Sequence, residues 1–187
     1  MTVGVLALQG DFVEHLSILE SMGIQTLEVR TPEDLSKVHR LIIPGGESTA
    51  ISLLLESSGL KRAIVERVKA GTLPILGTCA GVILLAKHVT GKNAPSTLRL
   101  MDITVDRNAY GSQLQSFDEK IRIKGSSKPL NVSFIRAPRI TATGKHVQVL
   151  ATYGSSAVFV RQGSLFAATF HAEVKGISAV HALFLDA

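Results

Sequence analysis

The chain contains one cysteine, no tryptophan, two tyrosines and six prolines in 187 residues. The single cysteine, Cys79, cannot form an internal disulfide bond, which fits a reducing compartment. The longest stretches without polar side chains, such as 80–86, are far shorter than the ~20 residues that a membrane-spanning helix needs. With 45% hydrophobic residues, the composition excludes a disordered or collagen-like chain and predicts a globular protein outside the membrane.

The positive charge of the chain is small and dispersed. Lysine and arginine exceed aspartate and glutamate by 20 to 15, a net charge of +5, but the densest basic pair is Lys61-Arg62. Without tryptophan and with few tyrosines, the chain also offers few platforms on which nucleic-acid bases could stack. We therefore expect no nucleic-acid partner, and interpret the basic residues as a solvated face or a contact for an acidic protein.

Length and the first residues bear on domain number and location. The apolar run Val3–Leu8 follows Met1 almost directly, without the basic segment, long apolar segment and cleavage site of a secretory signal. We expect a cytoplasmic protein. The length of 187 residues is close to the ~150 residues typical of one domain, so we expect a single domain over residues 1–187.

Strands and helices alternate in the first half of the sequence. The expected strands are Val3–Leu8, Gln25–Val29, Arg40–Ile43 and Pro74–Gly77. Four helices are expected between or after these strands. The first begins at Phe12 and ends near Gly23, and the second is short and follows the Thr31-Pro32 break. The third spans Thr49–Val68 with a break at Gly59, and the fourth spans Gly81–His88. Such alternation predicts an α/β fold of three layers, in which helices cover both faces of a mostly parallel sheet.

The second half changes to successive strands separated by turn residues. The expected strands are Ile103–Asp106, Lys120–Lys124, Val132–Ile135, Val147–Thr152, Ala157–Arg161 and Leu165–Phe170. Helices are expected to return only after Glu173. We therefore predict that antiparallel strands are added to the parallel sheet.

Cys79 occupies the centre of the sequence Gly-Thr-Cys-Ala-Gly, between an expected strand and an expected helix. This pattern is typical of a nucleophile elbow with sulfur in place of oxygen. Small neighbours permit the tight turn, and the thiol then lies at the amino terminus of a helix, where the thiolate form is favoured. A buried structural cysteine is the alternative, and the flanking glycines favour the nucleophile.

A thiolate nucleophile needs a base and a group that orients the base. Of the six histidines, His171 alone is followed two residues later by a carboxylate, Glu173, and side chains at i and i+2 share one side of an extended chain. The other five lie on expected helices or loops without a comparable partner and are interpreted as structural or solvated: His15, His39, His88, His146 and His181. No spacing of these residues is typical of a metal site.

The loop Pro-Gly-Gly-Glu-Ser-Thr at 44–49 ends the third strand and opens a helix. Its two glycines permit close approach of the backbone to a ligand, and Ser48 or Thr49 can cap the helix. Such a loop can supply an oxyanion-hole N–H or bind a carboxylate, and a plain strand-to-helix connection is the alternative. It is not a Walker phosphate loop, because no Gly-Lys-Ser/Thr follows.

Three motifs together resemble those of the class I glutamine amidotransferases: PGGEST at 44–49, GTCAG at 77–81 and FHAE at 170–173. Four more are similar to those of the glutaminase subunits of pyridoxal 5′-phosphate synthases: LQGDF at 8–12, RNAYGSQ at 107–113, SFD at 116–118 and FIRAP at 134–138. The motifs extend over nearly the whole chain. The resemblance implies the flavodoxin-like fold of that family.

The resemblance also implies a mechanism. Cys79 attacks the side-chain carboxamide of L-glutamine, His171 protonates the departing ammonia, and water hydrolyses the thioester to glutamate, while Glu173 orients His171. The implied oxyanion hole consists of the backbone N–H groups of Gly46 and Ala80. The implied glutamine-binding residues are Gly46, Glu47, Ser48, Arg107, Ile135 and Arg136. An arginine suits the α-carboxylate of the substrate, but the sequence leaves open which arginine binds it.

In this family the glutaminase subunit binds no cofactor and passes its ammonia to a synthase subunit within a large complex. The synthase combines the ammonia with a pentose phosphate and a triose phosphate to make the vitamin B6 cofactor. The family's glutaminase is nearly inactive until the synthase docks and organises the oxyanion loop. The region corresponding to 8–10 lies near that contact with the synthase.

Three alternatives remain at the level of sequence: a glutaminase subunit for another acceptor, a thiol hydrolase with another substrate, and a catalytically weak docking or regulatory subunit of the same complex. The docking alternative is motivated by Ala172, which stands where the family usually has proline. Without the proline ring, the backbone before it is less constrained. We expect the triad to function with a less ordered His171.

Overall fold

A computed structural model describes residues 1–107 and 116–187. Its helices are α1 (Phe12–Ser21), α2 (Pro32–Ser36), α3 (Ser48–Ser57), α4 (Leu60–Lys69), α5 (Ala80–Leu85) and α6 (Ala179–Leu185). Its strands are β1 (Thr2–Leu6), β2 (Gln25–Val29), β3 (Arg40–Ile43), β4 (Ile75–Thr78), β5 (Ala86–Thr90), β6 (Met101–Asp106), β7 (Ser116–Ile121), β8 (Leu130–Ile135), β9 (Arg139–Thr143), β10 (Gln148–Tyr153), β11 (Ser156–Gln162) and β12 (Leu165–Ala168). A 3₁₀ turn spans Glu173–Lys175.

The large sheet is parallel in its first half and mainly antiparallel in its second. Strands β2, β1, β3, β4 and β12 lie side by side and are all parallel. Beyond β12 the sheet continues through β11, β9 and β6, each antiparallel to its neighbour, and ends at β5, which is parallel to β6. Strand β10 also pairs with β11, and β7 and β8 form a separate hairpin. The predicted parallel sheet with added antiparallel strands is confirmed.

Two apolar layers cover the parallel strands. Along β3, Leu41 and Ile43 point into one layer and Ile42 into the other, because alternate residues of a strand face opposite sides. Helices α2 to α5 supply the first layer, while α1 and α6 supply the second. All three side chains are fully buried, and burying each contributes about 1.5–3 kcal/mol. The predicted three-layer α/β architecture is confirmed.

The helix expected over Gly81–His88 is wrong at its carboxyl end. Helix α5 ends at Leu85, and the chain continues as β5, which pairs with β6. The Thr97 hydroxyl donates to the carbonyl oxygen of Ala86 at 2.8 Å, at the point where the helix ends. An unbroken apolar run does not distinguish a buried helix from a strand, so the sequence could not place this boundary.

The added strands also differ from the prediction. Strand β9 was not expected: of its residues only Ile140 is buried, so its apolar signal is weak. The strand expected over Lys120–Lys124 lies earlier, because Ser116–Ile121 pairs with β8 and the backbone beyond Ile121 leaves the ladder. Helix α6 follows Glu173, as expected.

In the two described ranges, no helix is long and apolar enough to cross a membrane.

Candidate active site

Cys79 lies at the sharp turn between β4 and α5, at the carboxyl edge of the parallel sheet. Its backbone has φ 48° and ψ −102°, a conformation that costs an L-residue about 1–3 kcal/mol. The turn is held by a hydrogen bond from the Cys79 N–H to the carbonyl oxygen of Ala168, at 2.9 Å. It also needs Gly81, because a Cβ there would lie 2.2 Å from the carbonyl oxygen of Ile43. The sequence spacing thus folds into a strained elbow.

The thiol is nearly enclosed but reachable. Cys79 is 8% exposed, and its Sγ lies 3.7 Å from the carbonyl oxygen of Ile135, at the end of β8. Helix α5 begins at Ala80, directly after the thiol. The first N–H groups of a helix have no acceptor within it, so the backbone beside the sulfur is rich in donors.

His171 and Glu173 follow β12 beyond its last paired residue. The backbone of His171 exchanges two hydrogen bonds with Ser133 of β8, at 2.7 and 3.1 Å. Glu173 is the first residue of the 3₁₀ turn, and its Oε1 lies 2.6 Å from Nδ1 of His171. The two side chains therefore meet through the turn and not, as expected, through continuous extended backbone.

The electrostatics of this pair favour a charged histidine and a charged glutamate. Burial alone would lower the pKa of His171, but hydrogen bonds to Cys79 and Glu173 raise it to about 10. Burial would raise the pKa of Glu173, but the approach of the His15 ring nitrogen to its carboxylate and the hydrogen bond from His171 lower it to about 2. At neutral pH His171 thus carries a proton that it can donate, and Nδ1 is committed to Glu173.

The loop 44–46 lies against this histidine. A Cβ at Gly45 would lie 2.5 Å from Cε1 of His171. The loop is fastened to the turn after β1, because the Asp11 N–H donates to the Gly45 carbonyl at 3.1 Å and the Glu47 N–H donates to Oε1 of Gln9 at 2.8 Å. The structure therefore brings the predicted oxyanion loop next to the His171 ring.

Glu47 joins the loop to Arg107. Its carboxylate caps α3 by accepting from the N–H groups of Thr49 and Ala50 at 3.0 and 2.7 Å, and it contacts the Arg107 guanidinium at 2.5 Å. The expectation that Ser48 or Thr49 caps this helix is wrong, because the longer carboxylate reaches the exposed N–H groups first. Ser48 is buried in the first turn of α3.

Ile135 and Arg136 lie at the end of β8, beside the nucleophile. The Ile135 carbonyl is the group that contacts the Cys79 sulfur. Arg136 is exposed and has φ 45°, in the left-handed region that non-glycine residues seldom occupy. Backbone strain of this kind is typical of functional sites. The RNAYGSQ motif begins at Arg107, and its remaining residues 108–113 lie outside the described residues.

Two histidines were wrongly interpreted as lacking a comparable partner. His15 of α1 and His181 of α6 are fully buried and contact each other, and His15 also lies 3.6 Å from Glu173. A signal was present, because each lies on the buried face of its helix, beside Leu19 and Phe184 respectively. Within the described ranges, no group of His, Cys, Asp and Glu residues is arranged to hold a metal ion.

The comparisons with known proteins agree along the whole chain. The model of the SNO glutamine amidotransferase family matches residues 5–187. "Pyridoxal 5'-phosphate synthase subunit PdxT" from Thermotoga maritima is 46% identical over 188 residues, covering 100% of this chain and 98% of that protein. The protein of the same name from Tropheryma whipplei is 48% identical over 186 residues, covering 99% of this chain and 97% of that protein.

A solved structure leads to the same group. A crystal structure described as a glutamine amidotransferase has a TM-score of 0.93 and 43% sequence identity, and the match covers 98% of this chain and 97% of that one. The predicted resemblance is confirmed at the level of sequence and of fold. The chain belongs to the SNO glutamine amidotransferase family.

Proposed function

We propose that this protein hydrolyses L-glutamine to L-glutamate and ammonia, as the glutaminase subunit of a pyridoxal 5′-phosphate synthase. The observation that carries the proposal is the cluster at the sheet edge, where the strained Cys79 interacts with His171 and raises its pKa, and Nδ1 of that histidine contacts Glu173 at 2.6 Å. Both side chains of the pair are nearly inaccessible to solvent. Such a triad performs acyl transfer through a thioester.

The first half-reaction forms the acyl-enzyme. The Cys79 sulfur, as thiolate, attacks the carboxamide carbon of glutamine and forms the C–S bond, while the carbonyl oxygen gains the negative charge. Backbone N–H groups of Gly46 and Ala80 are assigned to that oxygen. His171 gives its Nε2 proton to the departing amide nitrogen, the C–N bond breaks, and ammonia and a glutamyl thioester remain.

The second half-reaction returns the enzyme to its starting state. His171, now neutral, takes a proton from water, and the resulting hydroxide attacks the thioester carbon. The C–S bond breaks, Cys79 leaves as thiolate and His171 is protonated again, so one water is consumed for each glutamine. Glu173 holds the ring orientation throughout, because Nδ1 stays bonded to its carboxylate.

The substrate site is assigned to the residues around the thiol. These residues are Gly46, Glu47, Ser48, Arg107, Ile135 and Arg136. The Arg107 guanidinium already contacts Glu47 and the Asn93 carbonyl, so it is held in place within the described structure. Arg136 is exposed next to the nucleophile, which supports a role in binding the α-carboxylate of glutamine.

The partner is the synthase subunit that uses the ammonia, since the relatives are named as subunits of pyridoxal 5′-phosphate synthase. We assign the docking contact to the region 8–10 and place the complex, which contains several copies of each subunit, in the cytoplasm. Gln9 and Asp11 hold the loop 45–47 by the two hydrogen bonds already described. A partner that contacts the turn after β1 and shifts it would therefore also shift the oxyanion loop.

The test is release of glutamate and ammonia from glutamine, with and without a pyridoxal 5′-phosphate synthase subunit. The native chain and Cys79→Ala are compared at equal concentration, with binding to the partner measured for both. Activity that requires the partner and disappears with Cys79→Ala supports the proposal. Equal stimulation of the synthase by both chains would support a docking subunit instead.

A further inference from the structure

Three buried polar side chains lie behind the triad and have no part in the mechanism above. His15 of α1 and His181 of α6 are 0% exposed, and Thr78, the last residue of β4, is 1% exposed. Burying polar groups costs free energy unless they are hydrogen-bonded, and an apolar side chain of similar size would fill such positions without that cost. The hydrogen bonds of His15, His181 and Thr78 therefore indicate why polar side chains occupy these positions.

His15 stands at the centre of the group. Its Nε2 lies 3.0 Å from Oγ1 of Thr78 and 3.6 Å from Oε1 of Glu173, and its Nδ1 lies 2.9 Å from Nε2 of His181. The first and third distances are hydrogen bonds, while the second is a close approach of a ring nitrogen to a carboxylate. One histidine thus touches the residue before the nucleophile and the carboxylate that orients the base.

The arrangement of protons follows from these contacts. Burial lowers the pKa of His15, so the ring is neutral and only one nitrogen carries hydrogen. If the hydrogen were on Nδ1, the lone pair of Nε2 would face the negative carboxylate of Glu173. With the hydrogen on Nε2, the N–H points toward Thr78 and Glu173, and Nδ1 accepts from His181.

The atoms without partners favour the same arrangement. In the described part of the chain, Nδ1 of His181 and Oε2 of Glu173 are buried without a hydrogen-bond partner. If His181 donates through Nε2, its unpaired Nδ1 carries no hydrogen and is an acceptor. A buried acceptor without a partner is less rare in proteins than a buried N–H without one. Glu173, with one oxygen unpaired, depends on the donors that reach its other oxygen.

We propose that His15 is a positioning residue for glutamine hydrolysis, which directs its Nε2–H toward Thr78 and the Glu173 carboxylate and is held in that tautomer by His181. The inference rests on the proposed function, because its readout is that reaction. Helices α1 and α6, which are far apart in sequence, thereby fix the carboxylate behind His171. The group acts on catalysis through Glu173 and touches no substrate.

The experiment measures kcat and KM for glutamine in the complex with the synthase subunit. His15→Leu removes both ring nitrogens at similar volume, and we expect kcat to fall about tenfold with KM unchanged, the size expected for losing a donor near a charged group. His15→Gln restores an amide N–H in place of Nε2–H and should recover most of the loss. His181→Leu removes the donor that holds His15 in its Nε2–H tautomer, so this variant should also lower kcat.

Two controls separate positioning from stability. Phe184→Leu removes packing from α6, where the ring contacts Phe166, and should lower the unfolding temperature while leaving kcat unchanged. In a Glu173→Gln background, His15→Leu should cause no additional loss, because its effect acts through that carboxylate.

The inference is overturned if His15→Leu leaves kcat unchanged, if the leucine and glutamine variants lose equal activity, or if the losses multiply in the Glu173→Gln background. Each of these results is read against a native complex that hydrolyses glutamine. A native complex without turnover would instead refute the proposed function.

Discussion

Gly10 offers the sharpest test of how the oxyanion loop is positioned. The residue has φ +104°, and a Cβ added there would lie 1.9 Å from the carbonyl oxygen of Gly45. Real Cβ contacts essentially never fall below 3.0 Å, so the peptide after Gly45 must move by about 1 Å. The neighbouring atoms are backbone, and no flexible side chain is available to absorb this shift.

Gly10→Ala should therefore damage catalysis more than folding. A displacement of about 1 Å at a reacting centre costs roughly 100-fold in rate, so we expect kcat/KM for glutamine to fall by about that factor. The strain of an alanine at positive φ adds about 1–2 kcal/mol of destabilisation. The assay is partner-dependent glutamate release, with thermal unfolding measured on the same samples.

Gly23→Ala is the matched control for backbone strain. Gly23 has φ +71° and nothing within 4 Å of an added Cβ, so this variant carries the strain without the collision. It should lose about the same stability and keep its activity. The reasoning is refuted if Gly10→Ala keeps native kcat/KM, or if both variants lose activity equally.

Three further predictions follow from the site. Ala172 has φ −83° and ψ −32°, close to the range of proline, so Ala172→Pro should raise the unfolding temperature by about 1–4 °C with catalysis retained; a lower temperature in differential scanning calorimetry would show that the ring does not fit. Because the pKa of His171 is raised from 6.5 to about 10, its contribution to stability is complete below pH 6.5 and is lost as the pH rises through 10. Urea unfolding of the native chain and His171→Gln should show a difference in free energy that shrinks over that interval, and a constant difference would contradict the assignment. Glu47→Ala removes the cap of α3, so it should lower the free energy of unfolding by about 1 kcal/mol and, by releasing Arg107, raise KM for glutamine; an unchanged KM in steady-state assays would remove both residues from the substrate site.

Much of the fold could be predicted from local patterns in the sequence. The inner parallel strands β1, β3, β4 and β12 are short, mainly apolar runs because both of their faces are buried, and a turn residue or a helical period marks their ends. The nucleophile elbow was also visible, since the glycines that flank Cys79 are the residues that a tight turn of this kind needs. These features depend on neighbours in sequence, which a single chain displays directly.

The remaining features depend on residues distant in sequence. Strand β5 exists because β6 lies beside it, and its apolar start resembles the end of a helix. His15 and His181 are separated by 166 positions and meet only when α1 and α6 pack on the same face of the sheet. The cap formed by Glu47 was missed for a simpler reason, because serine and threonine at the next positions are the commoner caps.

The most direct test of the account is covalent labelling of the site with an electrophilic analogue of L-glutamine, mapped by mass spectrometry of the peptides. The complex with the synthase subunit is treated with the analogue in the presence and absence of excess glutamine. The account predicts a modification on Cys79 that glutamine prevents and that His171→Gln slows. Modification that glutamine does not prevent, or a catalytically active complex in which Cys79 remains unlabelled, would contradict the claim that this thiol is the nucleophile of a glutaminase.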